Sequence, residues 1–396
     1  MAVVVVTDAE QRAALAVVRS LGRAGHTVHV TSQAARALAG ESRFAASTTM
    51  VPDPMRDPVA CAAAHARLAA RLGAQVLIPV GEASALALLE HPPADVRIPM
   101  TDLATFRLMC DKAAVLDAAQ RVGLRVPSQY IIESKSTFTQ ESAAREVARV
   151  PMPAVIKPSR SVAGPGGAQI KLPVRYVSDI GDVRRVVEDT PESAFPLLLQ
   201  ERAKGSGLGV FHLLWEGQEV ATFAHRRLRE KPPSGGVSTY RESIELPPEL
   251  HQRSRELLAA LGMTHGVAMV EFKAEAGEVP VLMEINARFW GSLQLAIDAG
   301  VDFPSLLTQL ALGDTPAPVT TWTPGVRSRW FWGDIDHLIA RVRRRVDARG
   351  NETTRVLWPA VRDVLLAPNQ RREEEIFRTN DPRPFLLETR NWFARR

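Results

Sequence analysis

The sequence predicts an α/β and α+β multidomain protein, with a parallel α/β unit first, a hairpin-rich core second and a mostly helical segment last. Three observations carry that expectation. The chain opens strand, helix, strand, an order that calls for a parallel crossover. Its middle holds apolar runs that face each other across short glycine-containing turns. Its end is rich in arginine, with tryptophans interleaved.

Bulk properties agree with this division. A chain of 396 residues carries a prior of two to three domains. At 45% hydrophobic and 23% charged residues it has the composition of an ordinary globular protein with ample core. No apolar run approaches the ~18 residues that span a bilayer, and no charged stretch precedes the first apolar run as in a signal peptide. Cys61 and Cys110 are the only cysteines, which argues against a disulfide scaffold and a thiolate metal site. The expectation is a cytoplasmic protein with no membrane partner.

The first strand is expected at Ala2–Val6, a helix from about Asp8 to Gly25 and a second strand at His26–Thr31. No Gly-x-Gly-x-x-Gly follows the first strand, so a dinucleotide fingerprint is absent. Another strand, Ala74–Val80, ends at Gly81-Glu82 before a helical run. The carboxyl ends of such strands are where open α/β sheets bind ligands, although a glutamate at a helix start also suits the helix dipole. This unit is taken as residues 1–100. In the stretch Thr101–Val126, Asp111-Lys112 stands at the start of a long helical pattern, and Pro127 ends that helix ahead of a strand near Gln129–Glu133. Ala154–Pro158 is a strand that ends in Lys157-Pro158 and opens into a glycine-rich loop, Ser159–Gly167. There Gly166 and Gly167 would let backbone amides approach phosphate oxygens, with the Lys157 ammonium beside them. Leu197–Glu201 is a buried strand, and Val210–Glu216 with Glu219–Ala224 make a hairpin over Gly217. His225–Tyr240 continues as a basic strand and a Pro/Gly loop. Strict alternation puts Arg227, Arg229 and Lys231 on one face and Arg226 on the other. Such a cationic row suits a carboxylate ligand, met by Arg227 and Arg229, with residues 234–240 as a mobile cover.

The stretch Gly266–Gly300 organises the rest. Val267–Phe272 and Val279–Ile285 flank a turn containing Ala276-Gly277. Pairing Glu275 with Glu278 places Glu271 opposite Leu282, so that Glu271, Leu282, Glu284 and Asn286 share one face. Glu271 and Glu284 are then diagonal neighbours with backbones roughly 7–8 Å apart, close enough to hold hard cations between them. Asn286 and Arg288 follow within four residues. Carboxylate, amide and guanidinium in that order suit a metal-bridged triphosphate. Pro304–Leu312 closes the core near Gly313, giving a core at 101–313 with halves at about 101–195 and 196–313. From Val326 onward there are 16 Arg against 10 Asp and Glu. Because the acids are interspersed and no nucleic-acid motif occurs, the segment 314–396 is expected to be a solvated helical appendage packed on the core by its tryptophans, with a homodimer contact as a further option there, and no nucleic-acid partner.

The segments Val155–Pro158 and Met283–Arg288 resemble the nucleotide- and metal-binding parts of the ATP-grasp superfamily, and the resemblance spans some two-thirds of the chain. It implies an ATP-grasp fold over the core, preceded by the domain that sits on its lid side. It implies ATP and Mg²⁺ (or Mn²⁺) as cofactors, with Glu271, Glu284 and Asn286 on the metal and Lys112 and Lys157 on the phosphates. Backbone groups at Glu201, Arg202 and Ala203 would meet the adenine edge, and Leu282 would lie on the same ligand-binding face. Arg288 would bind the transferring phosphoryl. The implied activity is ATP-dependent ligation of a small-molecule carboxylate to an amine, amino acids included, through an acyl phosphate. The alternatives are a carbamoyl-phosphate-synthase-like or carboxylase-type enzyme, or a non-catalytic nucleotide-binding protein. No biotin-accepting Met-Lys-Met is present.

Overall fold

The computed structural model describes residues 1–138, 145–162, 174–233, 235–275, 277–344, 358, 361–362, 364 and 372–395. The N-terminal unit is a four-stranded parallel sheet of Val3–Val6 (β1), Thr27–Ser32 (β2), Ala45–Met50 (β3) and Val76–Ile78 (β4), in the order β3-β2-β1-β4. Its helices are Arg12–Arg23 (α1), Pro58–Leu72 (α2) and Glu82–Glu90 (α3). In α2 the Asp57 side chain accepts from the Ala60 N–H, and Gly73 at φ 60° closes the far end in the left-handed conformation that glycine adopts without strain.

Two short helices then lead into the core, Leu103–Cys110 (α4) and Lys112–Arg121 (α5), each capped by the aspartate before it, Asp102 and Asp111. A small antiparallel sheet follows, built from Gln129–Ile132 (β5), Ala154–Pro158 (β6), Arg175–Val177 (β7) and Leu197–Glu201 (β8) in the order β5-β8-β6-β7. Helix Ile180–Asp189 (α6) buries Val183 and Val187 against it.

The largest sheet has seven strands in the order β13-β12-β9-β10-β11-β14-β15. They are Ser206–Trp215 (β9), Gln218–Lys231 (β10), Val237–Ser243 (β11), Gly266–Ala274 (β12), Val281–Asn286 (β13), Arg327–Arg329 (β14) and Arg372–Glu374 (β15). The β9–β10 turn has Glu216 at φ 51° and Gly217 at φ 75°, the two positive values a tight hairpin turn requires. Strand alternation gives the sheet two buried faces. Phe211, Leu213, Phe223 and Met269 pack toward α1 and the helices Leu293–Asp298 (α8) and Phe303–Leu312 (α9). Val210, Leu214, Val270 and Phe272 pack toward α4, α5 and helix Pro248–Ala260 (α7). Each fully buried side chain of this kind contributes about 1.5–3 kcal/mol, so both layers are needed to hold the sheet.

Two expectations change here. Residues 237–240 form strand β11 rather than a loose cover, because they pair with β10 through Lys231↔Val237, Glu230↔Ser238 and Arg229↔Tyr240. The C-terminal segment packs on the core as expected, but it also adds strands to it. It contains helices Phe331–Arg344 (α10) and Arg383–Ala394 (α11), and β14 and β15 extend the large sheet. Buried Arg19 of α1 donates from Nε to Asp381 Oδ2 at 2.8 Å and from Nη2 to the Ile376 carbonyl at 2.8 Å, which ties the first helix to the last segment. The tryptophans act between these helices: Trp332 stacks on Trp392 at 4.1 Å, and Trp330 Nε1 donates to Glu388.

Candidate active site

The cleft lies between the small sheet and one face of the large sheet, with a volume of ≈ 580 Å³. Its floor is the β12–β13 hairpin. Glu271 and Glu284 stand directly opposite each other, not diagonally, and Met269 pairs with Asn286 on the same face. The difference is a β-bulge. Beyond Glu271↔Glu284 the register steps to Phe272↔Leu282, which leaves Met283 as the extra residue. The bulge turns Leu282 away from the cleft. It is fully buried among Phe272, Val270 and Leu116, so the expectation that it faces a ligand is corrected, and Met283 lines the cleft in its place.

Two carboxylates on one buried floor cannot be equally comfortable as anions. Burial pushes Glu271 above the usual carboxylate range against the pull of Arg227, and Glu284 adds to the rise. Burial also opposes ionisation of Glu284, but Lys112, Lys157, the Asn286 amide and Arg288 outweigh it and hold Glu284 low. Arg288 donates to Asn286 Oδ1 at 3.0 Å, and Asn286 Nδ2 to Glu284 Oε1 at 3.3 Å. An all-oxygen donor set of two half-buried carboxylates and an amide fits a hard divalent cation such as Mg²⁺, which would relieve the charge crowding on Glu271.

The two lysines reach this floor from the opposite wall. Lys157 ends β6 and is almost wholly buried, and burial lowers its pKa to about 8 even though Glu284 works the other way. Asp111 fixes the loop after it: its carboxylate accepts from Ser159 Oγ at 2.5 Å and from Arg160 Nε at 3.1 Å, while the Lys112 N–H donates to the Ser159 carbonyl. Lys112 Nζ then donates to Ser161 Oγ at 2.8 Å. Glu201, Arg202 and Ala203 also line the cleft, at the hinge where β8 gives way to β9. Gly205 in that hinge has φ +93°, and a Cβ there would meet the Ala274 carbonyl at 2.2 Å, so only glycine allows the approach to β12. Gly166 and Gly167 lie outside the described residues.

The paired arginines do not share a face. The ladder runs Arg227↔Arg241 and then Arg229↔Tyr240, so a bulge at Leu228 sends Arg229 to the other side of the sheet from Arg227. Arg229 is buried there in a forked pair with Asp334, at 2.7 and 2.5 Å, with Tyr240 stacked 4.2 Å away. It does not line the cleft, which corrects its expected catalytic role; Lys231 likewise turns to Asp336. Arg227 does line it, reaching across β9 to Glu271 Oε2 at 2.6 Å. Gly207 makes that reach possible, because a Cβ on it would stand 2.5 Å from Arg227 Cδ.

Several cleft residues fall outside the sequence reading. Lys273 follows Glu271 by two positions and lines the cleft. At the end away from the Glu201–Ala203 hinge, Arg12 comes from α1, Arg241 and Ser238 from β11, and Trp290 from the turn after β13. Arg12 and Arg241 both contact the buried carboxylate of Glu375, which follows β15. Arg241 Nε, Trp290 Nε1 and Ser238 Oγ are buried with no hydrogen-bond partner among the described residues. Alternation along β11 could have marked Arg241 as a partner for Arg227. Arg12 and Glu375 carry no local signal, since they lie 363 positions apart.

A family model described as ATP-grasp in the biosynthetic pathway with Ter operon matches residues 193–333. The fold is the ATP-grasp fold. Solved structures extend the likeness beyond the matched region, at the level of fold. An L-amino acid ligase from Bacillus licheniformis superimposes with a TM-score of 0.61 and 15% identity, covering 79% of this chain and 74% of that one. An ADP complex of N5-carboxyaminoimidazole ribonucleotide synthetase gives 0.63 and 14%, covering 86% and 85%. A biotin carboxylase from Campylobacter jejuni, also bound to a nucleotide, gives 0.61 and 16%, covering 79% and 71%. A search of curated protein sequences finds no match. Among the described residues, no helix is long and apolar enough to cross a membrane.

Proposed function

We propose that the protein is an ADP-forming carboxylate–amine ligase that activates its acid as an acyl phosphate. The observation that carries this reading is the hairpin floor, where Glu271 and Glu284 face each other among Lys112, Lys157, Arg227 and Arg288. Glu271, Glu284 and Asn286 would hold Mg²⁺, which supplies charge neutralisation for the triphosphate when bound. Lys112 and Lys157 face the same floor and would neutralise phosphate oxygens; Lys157 titrates near 8, so it carries much of its charge at neutral pH. Arg288 is held by the Phe289 carbonyl at 2.8 Å and by Asn286, and presents its guanidinium to the transferring phosphoryl. At the far end, Arg241, Ser238 and Trp290 offer buried donors with no acceptor, which suits the carboxylate of the acid. Attack of an amine on the acyl phosphate would give an amide and release phosphate.

The test is ADP and phosphate release with Mg-ATP across small acids, each with and without an amine. Release that needs both acid and amine, and that Glu284→Gln abolishes in a folded protein, is the expected result. Release supported by bicarbonate with no organic acid would move the reading to a carboxylase-type enzyme. Nucleotide binding without release under any combination would make it a non-catalytic nucleotide-binding protein.

A further inference from the structure

The face of the seven-stranded sheet that looks away from the cleft carries a second cluster of ligand-type side chains. His212 stands on β9, Glu219 near the start of β10 and His251 early in α7. One candidate ligand atom from each lies within 4.8 Å of the other two. His212 Nδ1 is 2.7 Å from Glu219 Oε1, and His251 Nε2 is 2.8 Å from Glu219 Oε2. The two imidazoles lie parallel, 8° between planes and 5.7 Å between centroids.

The backbone is shaped to bring them together. His212 pairs with Thr222, but Leu214 pairs with Glu219, because a bulge at Val220 adds one residue to β10. That extra residue puts Glu219 on the His212 face; an unbroken ladder would place it on the opposite one. His212 is fully buried and Glu219 nearly so, while His251 is 32% exposed and leaves a path from solvent. A second observation points to a missing partner. His212 Nε2, Thr222 Oγ1 and Ser254 Oγ, all buried on this face or on the helix over it, have no hydrogen-bond partner among the described residues. Buried polar atoms are rarely left so, and a buried water is one of the usual reasons; beside His212 Nδ1, which faces Glu219, they leave a place for water behind the ring.

Two imidazole nitrogens and one carboxylate form a donor set for zinc, with a fourth position open, and differ in kind from the oxygen donors of the cleft. We propose that His212, Glu219 and His251 form a transition-metal site of the zinc class that pins α7 to strands β9 and β10. Binding breaks the two N–H···O bonds and forms three metal–ligand bonds. In each imidazole the proton of the ligating nitrogen moves to the other ring nitrogen, so His212 ligates through Nδ1 and His251 through Nε2, and the proton on buried His212 Nε2 would be hydrogen-bonded by a water behind the ring. Arg255, whose guanidinium is 3.9 Å from Glu219 Oε2 and 41% exposed, is free to turn outward.

Titration of the chelator-treated chain with Co²⁺, followed by its visible absorption, tests the proposal. The native chain and Glu284→Gln, which removes a ligand from the cleft, should both develop tetrahedral Co²⁺ absorption at one equivalent, reversed by Zn²⁺. His251→Asn, a partly exposed position with little folding risk, should weaken Co²⁺ binding by more than about tenfold. Zn²⁺ should raise the thermal midpoint of the native chain and leave that of His251→Asn unmoved. Absent Co²⁺ absorption in the native chain, or absorption that His251→Asn leaves intact, overturns the site and leaves a metal-free hydrogen-bond network.

Discussion

Arg227 and Arg229 are two positions apart on one strand, yet they do unlike work. Arg227 sits in the cleft between Glu271 and Glu230, and its charge is held firmly by both. Arg229 faces the other way and neutralises Asp334, which is fully buried. The two should therefore fail differently on mutation. Arg227→Lys keeps the charge and loses the fork, so turnover should fall roughly 10²–10³-fold, or about 2.7–4 kcal/mol, with the denaturation midpoint nearly unchanged. Arg229→Ala strands a buried carboxylate and should cost about 3–5 kcal/mol of stability. Urea unfolding and steady-state ADP release on both variants separate them. A stable Arg229→Ala protein, or full turnover in Arg227→Lys, would contradict this division.

At the scale of elements, strand ends and turns were legible and bulges were not. Lys157 at the end of an apolar run, the Glu216-Gly217 turn and the Glu271/Glu284 hairpin all follow from local pattern. A bulge inserts one residue without changing composition, and one residue is enough to exchange the faces of a strand. That is why Leu282 and Arg229 were read onto the ligand side while the structure buries them elsewhere. Glu284 and Asn286 escaped the error because the slip on the turn side and the bulge displace the register in the same direction, restoring the shared face. Helix α11 shows a different consequence of packing. Its Glu388 is pushed by burial up to about 7, against the Trp330 N–H that favours its anion. The folded state therefore holds this proton more tightly than the unfolded chain. Stability should be greatest below the unfolded value near 4.5 and should fall as pH rises through about 7, by up to about 3 kcal/mol. Glu388→Gln should remove that slope and stabilise the protein at pH 8. Denaturation at pH 5 and pH 8 checks it; a slope that survives in Glu388→Gln belongs to another group.

Across the whole molecule, the first and last segments close on the core from both sides. Asp381 accepts from Arg19 Nε, from Ser42 Oγ at 2.7 Å and from the Arg43 N–H at 2.9 Å, while Glu375 meets Arg12 and Arg241 at the cleft. None of this was legible in sequence, because each contact joins segments more than 100 residues apart, and arginine-rich composition reads locally as a solvated surface. Asp381→Ala leaves Arg19 buried without its carboxylate and should cost about 3–5 kcal/mol, read as a lower urea midpoint at constant slope. A loss below about 0.5 kcal/mol would mean that the C-terminal segment only rests on the first domain. The proposed function requires the hairpin carboxylates to make a metal-dependent nucleotide site. Calorimetric titration of ATP into the native chain and into the Glu271→Gln/Glu284→Gln double variant, each with and without Mg²⁺, tests it most directly. Mg²⁺-dependent binding is expected in the native chain and none of that dependence in the double variant; equal ATP binding in all four titrations, or none in any, rules out a metal-dependent site at this hairpin.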